Sequence, residues 1–230
     1  MNPRQPLPHG EEKRRAIRAL FDAISPRYDL VNRVMTLGLD QAWRRRAVRE
    51  LDLPPGSRVL DLACGTGDLC RALGRNRHRP VGVDFSHGML VRARTAAPLV
   101  EADVVRLPVR DAAADGVTCG FALRNLVSLE DFFHEVARVV RPGGAIALLD
   151  AGEPESGLLR IGHRLYLRTV VPMIGGALSD RDAYEYLPRS LAYLPPADEM
   201  LRMLTRAGFP SPRRVQLTAG AAQLFLGIRA

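Results

Sequence analysis

The spacing of apolar positions changes near residue 50. Before it, apolar side chains recur at three- and four-residue steps, as in Ile17, Leu20, Phe21 and Ile24, the period of one helix face. This predicts helical structure over 11–51, interrupted at Pro26. A second helical piece carries Leu30, Val31, Val34 and Met35, and a third covers 40–50. The run "LPPGSR" then marks a loop. Beyond it, short apolar runs alternate with amphipathic segments. "RVLDLAC", "PVGVDF", "LVEADV", "DGVTCGFA" and "AIALLD" read as strands, with helices over 68–75, 87–97 and 129–140 and a tight turn at "RPGG". A less regular stretch over 151–193 leads to a helix over 197–207, and "RRVQLT" with "AQLFLGI" reads as an edge hairpin. Such alternation predicts an α/β fold, a mostly parallel sheet with helices on both faces. The expected organisation is a helical cap over 1–50 and an α/β domain over 51–230, with an insert at about 151–195.

The first strand runs into a glycine turn, "LACGTGD". A dinucleotide fingerprint needs a third glycine, and Cys70 stands in its place after Gly65 and Gly67. Asp61 lies inside that strand. Central parallel strands are normally apolar on both faces, so a carboxylate there needs a hydrogen-bonding or cationic partner. Strand two ends in Asp84, where a carboxylate can accept both hydroxyls of a ribose. Strand three ends in "EAD", with Asp103 placed to accept from an adenine amino group. Three acidic strand tips suit a ligand that is uncharged or cationic near its sugar. They point to S-adenosylmethionine rather than NAD or a nucleoside triphosphate. Asp61 is also read as a tie for its own loop.

"VLDLACGTGD", "GVDFS", the "LP" after the third acid, and "RPGG" resemble the class I methyltransferase fold. "LFDAISPRYDLVNRVMTLGLDQAWRR", "GFALRN" and "DRDAYEYLPRS" resemble, more narrowly, the ubiquinone/menaquinone biosynthesis C-methyltransferases, over about 17–194. The resemblance implies a Rossmann-like, mostly parallel seven-stranded sheet under an N-terminal helical lid. It implies cofactor contacts at Asp61, Ala63, Gly65, Thr66, Gly67, Asp84, Phe85, Asp103 and Val104, and at the backbone of Gly120, where the family carries a small polar residue. Ala63 replaces the usual first glycine, "DAGEP" an acid–Phe–Ser run, and "LGIRA" a His- and Gly-containing tail. The acceptor is accordingly left between a demethylmenaquinol-like polyprenyl quinol and a soluble aromatic or polyketide metabolite.

Ligands of open α/β sheets lie beyond the strand C-termini, and "ALRN" leaves strand four there. The resemblance implies that a ring carbon beside a phenolic oxygen attacks the donor methyl. Arg124, with Asn125, then stabilises the phenolate or organises a water that removes its proton. The alternative for Arg124 is a structural bond to loop carbonyls. Tyr28, Asp29 and Asn32 mark the break between N-terminal helices, where a lid would move. Tyr28 is grouped with the catalytic residues and Asn32 with the substrate. Asp182 and Tyr184 are expected on a pocket wall, and His134 and His163 on the surface.

Net charge is +8, yet Lys13 is the only lysine among 33 basic residues. The arginine bias reads as compositional rather than as a polyanion surface. With 6% aromatics and no aromatic–basic interleaving, no nucleic-acid partner is expected. Cys64, Cys70 and Cys119 form no metal-ligand spacing, so no metal is expected, and they suit a reducing compartment. No apolar run is long enough to span a bilayer and no secretory leader is seen. Arg160, Arg164 and Arg168 share one helix face beside Leu158 and Leu165. That face is either solvated or rests on an anionic membrane. A cytoplasmic enzyme, peripheral on the inner face of the membrane, is expected, with a homodimer left open.

Overall fold

Seven strands form one sheet in the computed structural model, which describes residues 9–171, 173–174 and 190–230. They are β1 (Arg58–Leu62), β2 (Arg79–Asp84), β3 (Leu99–Glu101), β4 (Ala114–Gly120), β5 (Val140–Ala151), β6 (Arg213–Leu217) and β7 (Ala222–Ile228), in the order β3-β2-β1-β4-β5-β7-β6. The first five pair in parallel, and β7 runs antiparallel to β5. The chain changes direction of travel across the sheet between β1 and β4, which opens a crevice at their carboxyl ends. The expected edge hairpin forms, but β7 wedges between β5 and β6, so of its two strands β6 alone lies at an edge of the sheet. Leu224, Phe225 and Leu226 are consecutive apolar residues that need cover on both faces, whereas Arg213, Arg214 and Gln216 tolerate an edge.

Strand alternation separates two apolar layers. Leu60, Leu62, Ile146, Leu148 and Phe225 pack against helices α6 (Leu129–Val139) and α8 (Ala197–Ala207). Val59, Ala147, Leu149, Leu224 and Leu226 pack on the other face against α3 (Leu39–Glu50) and α4 (Asp68–Arg75). Trp43, Ala47, Val48 and Leu51 bring α3 into this core. Helices α1 (Gly10–Ile24) and α2 (Tyr28–Met35) lie instead at the carboxyl ends of the strands, facing Ala63, Gly65 and Phe121.

Two elements differ from the sequence pattern. Helix α5 covers only His87–Val91, not 87–97. Beyond it the backbone is recruited by the glycine loop: Arg94 N–H donates to Thr66 O (3.0 Å), and Arg71 donates to Arg94 O (2.9 Å). The "RPGG" turn is a bulge inside β5, since Ala114 pairs with Val140 but Gly116 with Ala145. The irregular stretch contains α7 (Gly157–Leu165), which continues into a π-helical turn, Tyr166–Val170.

Candidate active site

Residues 63–67 turn the chain from β1 into α4. Ala63 and Gly67 adopt left-handed backbone (φ 51° and 82°), and a Cβ on Gly67 would meet Thr95 Cγ2 at 2.8 Å. Gly65 is also left-handed, and a Cβ there would project into open space, so the loop shows bare backbone to the crevice. Asp84 fixes this loop. Its Oδ2 accepts from Gly65 N–H (2.7 Å) and its Oδ1 from Ser86 N–H (2.9 Å). Beneath the loop, Asp61 accepts from Thr118 Oγ1 (2.9 Å) and Cys70 Sγ (3.3 Å). Burial pushes both carboxyls up to about 6, against these hydrogen bonds.

A cavity of about 260 Å³ opens above the loop. Ala63, Gly65, Asp84, Phe85, Asp103, Val104 and Gly120 line it, together with Tyr28 and Asn125. Asp61, Thr66 and Gly67, also expected at the cofactor, do not line this cavity. Asp61 is spent on Thr118 and Cys70, the Thr66 hydroxyl donates to Asp29 Oδ1 (2.5 Å), and Gly67 packs under Thr95.

Helix α1 closes the cavity with Glu11, Arg14, Ile17 and Phe21. Arg14 pairs with Asp103 (2.9 Å), Arg18 with Glu101 (2.6 Å), and Asp22 accepts from Ser86 Oγ and Gly88 N–H. Lys13 is buried on the face of Ile17 and Ile24. It donates to the carbonyls of Arg124 (3.1 Å) and Leu126 (2.6 Å) and lies 3.6 Å from the Tyr193 ring centre. The only lysine thus latches the lid onto the loop after β4. Lys13→Met is expected to weaken cofactor binding about tenfold, the worth of roughly one charge-assisted hydrogen bond after desolvation. Calorimetry, with limited proteolysis of α1 as a second readout, measures it; unchanged affinity and protection would rule the latch out.

A second, more apolar cavity of about 320 Å³ adjoins the first. The two share Phe21, Tyr28, Phe121 and Asn125. Phe121 follows β4 with left-handed backbone (φ 64°), strain that places its ring 6.1 Å from that of Trp43 and under the Arg44 guanidinium (5.0 Å). Leu20, Ile24, Met35, Trp43, Tyr166 and Val171 supply the apolar wall. Asn32, Asp40, Arg44, Arg124 and His163 supply the polar groups. Burial raises the Tyr28 phenol above its ordinary range, opposed by Arg44, Arg124 and a hydrogen bond with Asn32. Arg124 is buried; its guanidinium donates to Asp150 Oδ1 and to Ser190 Oγ (3.1 Å), and its N–H to Asp150 Oδ2 (3.3 Å). The loop carbonyls considered as its partners are replaced by a fully buried carboxylate. Asp182, Tyr184 and the Arg168 side chain lie outside the described residues.

The profile of the ubiE/COQ5 methyltransferase family matches residues 9–229. The chain belongs to this family. A ubiquinone/menaquinone biosynthesis C-methyltransferase UbiE of Syntrophotalea carbinolica is 39% identical over 224 residues, covering 92% of this chain and 93% of its own. A demethylmenaquinone methyltransferase of Deinococcus radiodurans is 39% identical over 234 residues, covering 97% of each. Among solved structures, a SAM-dependent methyltransferase from Aquifex aeolicus matches at TM-score 0.58 and 16% identity, over 81% of this chain and 89% of its own. Phosphoethanolamine N-methyltransferase 2 of Haemonchus contortus, solved with S-adenosyl-L-methionine, matches at TM-score 0.59 and 13% identity, over 79% and 50%. These likenesses concern the fold.

In this ubiE/COQ5-family methyltransferase three residues of the site escape the sequence reading. Asp150 ends an apolar strand with an acid, the same sign that marks Asp61 and Asp84, and that sign was available. Lys13 stands four residues before Ile17, on a helix face otherwise apolar. His163 has arginine neighbours and reads as exposed; only the fold puts it on a cavity wall, whereas His134 is exposed as expected.

Proposed function

We propose that this methyltransferase transfers a methyl group from S-adenosylmethionine to a ring carbon of a demethylmenaquinol-like polyprenyl quinol, in menaquinone or ubiquinone biosynthesis. The observation that carries the reading is the wall of Phe21, Tyr28, Phe121 and Asn125 common to the two cavities. The cavity over the glycine loop meets a more apolar one large enough for a fused aromatic ring. The donor is S-adenosylmethionine, and the residues present fit it. Gly65 and Ala63 leave backbone bare for its methionine end, Asp84 offers carboxylate oxygens to the ribose, and Asp103 and Val104 face the adenine. When bound, it supplies an electrophilic sulfonium methyl group.

The chain's own contribution is placement, exclusion of water and charge. Aromatic side chains hold the acceptor ring flat at the shared wall. Arg124, held by Asp150, sets a positive charge beside it that favours the phenolate, and Asn125 and Tyr28 hydrogen-bond ring oxygens. Asn32 completes the acceptor pocket. The lid of α1 and α2 shuts the site. The single test is product formation from labelled S-adenosylmethionine with demethylated naphthohydroquinones and soluble phenols side by side. Product from the phenols alone would replace the quinol with a soluble aromatic acceptor.

Among the described residues no helix is long and apolar enough to cross a membrane. The reading places the enzyme peripherally, on the cytoplasmic face. Leu37 lines the second cavity and is more than 80% exposed, as is Leu158 on α7, which also carries His163 of the cavity wall; Ile161, Leu165 and Met173 are exposed too. Tyr166 Oη donates to Met35 O (2.6 Å), which joins α7 to α2 at this rim. A double Leu158→Glu, Ile161→Glu variant is expected to lose about tenfold or more in binding to anionic vesicles, since each buried aliphatic side chain contributes about 1.5–3 kcal/mol. Sedimentation with vesicles checks this; equal partitioning would place the apolar rim elsewhere than on lipid.

A further inference from the structure

We infer that His163 is a further catalytic residue, whose imidazole accepts the hydroxyl proton of the acceptor ring from the wall of the second cavity. The inference rests on the reading of that cavity as the acceptor site. His163 lies on α7, and the next turn of that helix is anchored through Tyr166 to Met35. Its Nδ1 is buried without a hydrogen-bond partner among the described residues, so none of these commits the ring to a structural network.

The polar groups that share the cavity are unsuited to taking a proton. Arg44 and Arg124 are permanently protonated guanidinium groups. Asp40 accepts from Thr36 Oγ1 (3.1 Å), Gln41 Nε2 (3.0 Å) and Arg44 (2.7 Å). Tyr28 and Tyr166 keep their own protons, because burial raises both phenols. Near the ring, Glu153 is engaged by Arg164 of the same helix. Desolvation lowers the imidazole below its ordinary value, with Glu153 pulling the other way, so at neutral pH it holds a free lone pair.

The step conserves charge and atoms. The acceptor's O–H bond breaks, its proton passes to imidazole nitrogen and the electron pair stays on oxygen, raising density on the neighbouring ring carbon. The ring hydrogen replaced by methyl leaves as a proton to water when aromaticity is restored. The imidazolium then returns its proton to the phenolate oxygen, and one proton is released in all.

The experiment uses the full chain with a prenylated naphthohydroquinone. At saturating S-adenosylmethionine, His163→Gln is expected to lower kcat about a hundred-fold, the lower range for a lost general base. The acid limb of the wild-type kcat–pH profile should vanish with it. Cofactor affinity should stay unchanged. Independently of turnover, the His163 Cε1 resonance of the wild type should shift when the naphthohydroquinone is added without donor. An unchanged rate and acid limb in His163→Gln, or an unmoved resonance, would overturn the inference. If wild type methylates only soluble phenols, the quinol reading fails, and the same pH profile taken on the phenol still decides the role of His163.

Discussion

Arg124→Met is expected to destabilise the protein by about 3–5 kcal/mol, the usual cost of leaving one member of a buried ion pair behind. Arg124 is 6% exposed and Asp150 0%, and Asp150 also accepts from the backbone N–H groups of Arg124 and Ala151. The guanidinium is the only cation bonded to this carboxylate among the described residues. Adding Asp150→Asn should restore more than half of the loss, because the neutral amide leaves no unpaired buried charge and its oxygen still accepts from one of the two N–H groups. Turnover should stay low in the double variant, since the charge facing the acceptor is gone. Urea unfolding of wild type, both singles and the double closes the cycle. Additive losses would show that the pair is not coupled, and full turnover in the double would remove Arg124 from the chemistry. This double variant separates a fold defect from a chemical one, which Arg124→Met alone does not.

The sheet was legible because strand and helix periods differ and each strand is short, apolar and followed by a turn. Helix α4 over Asp68–Arg75 and helix α8 over Ala197–Ala207 match their predicted spans. What failed was set by contacts distant in sequence. "HGMLVRARTAA" has helical composition throughout, but Arg94 and Thr95 are bound to the glycine loop, and α5 stops at Val91. β7 looked like an edge strand because a hairpin reveals who pairs with whom but not which strand faces inward. In the site, the acids at strand tips were readable as chemistry, since a carboxylate in a parallel strand contradicts its surroundings. Thr66 was readable as part of the loop but not as a partner of Asp29, 37 residues away. Phe121 and Trp43 read as ordinary apolar residues. Only the left-handed turn at Phe121 sets its ring between the two cavities and beside Trp43, which lines the second.

Asp84→Asn is expected to strengthen the empty protein while weakening it as an enzyme. The carboxyl is buried, and its folded value of about 6 lies above the ordinary 3.8. A group raised on folding stabilises the native state below its unfolded value, and that contribution is lost as pH rises through about 6. The gap corresponds to about 3 kcal/mol of cost carried by ionised Asp84 above about pH 7. An amide, neutral at every pH and able to accept from Gly65 or Ser86, escapes that cost. The variant should therefore melt higher than wild type at about pH 8, with the difference fading as pH falls and gone once it lies well below the unfolded value of 3.8, where the carboxyl is protonated in both states. Binding should move the opposite way. Two ribose hydroxyls lose an anionic acceptor, and at about 1.5–3 kcal/mol for each charge-assisted bond a hundred-fold loss of S-adenosylmethionine affinity is a conservative expectation. In wild type the affinity should be level above about pH 7 and fall about tenfold per pH unit below about 6, as the acceptor is neutralised; in Asp84→Asn that slope should be absent. Paired thermal melts and calorimetric titrations across this range give both quantities from the same samples. A variant that lost stability at about pH 8 would show that the carboxylate's bonds to the glycine loop outweigh its desolvation, and a retained acid-side slope in affinity would assign the ribose to another acceptor. The expected opposition of the two effects is what a ligand carboxylate produces when the fold bears its desolvation in advance of binding.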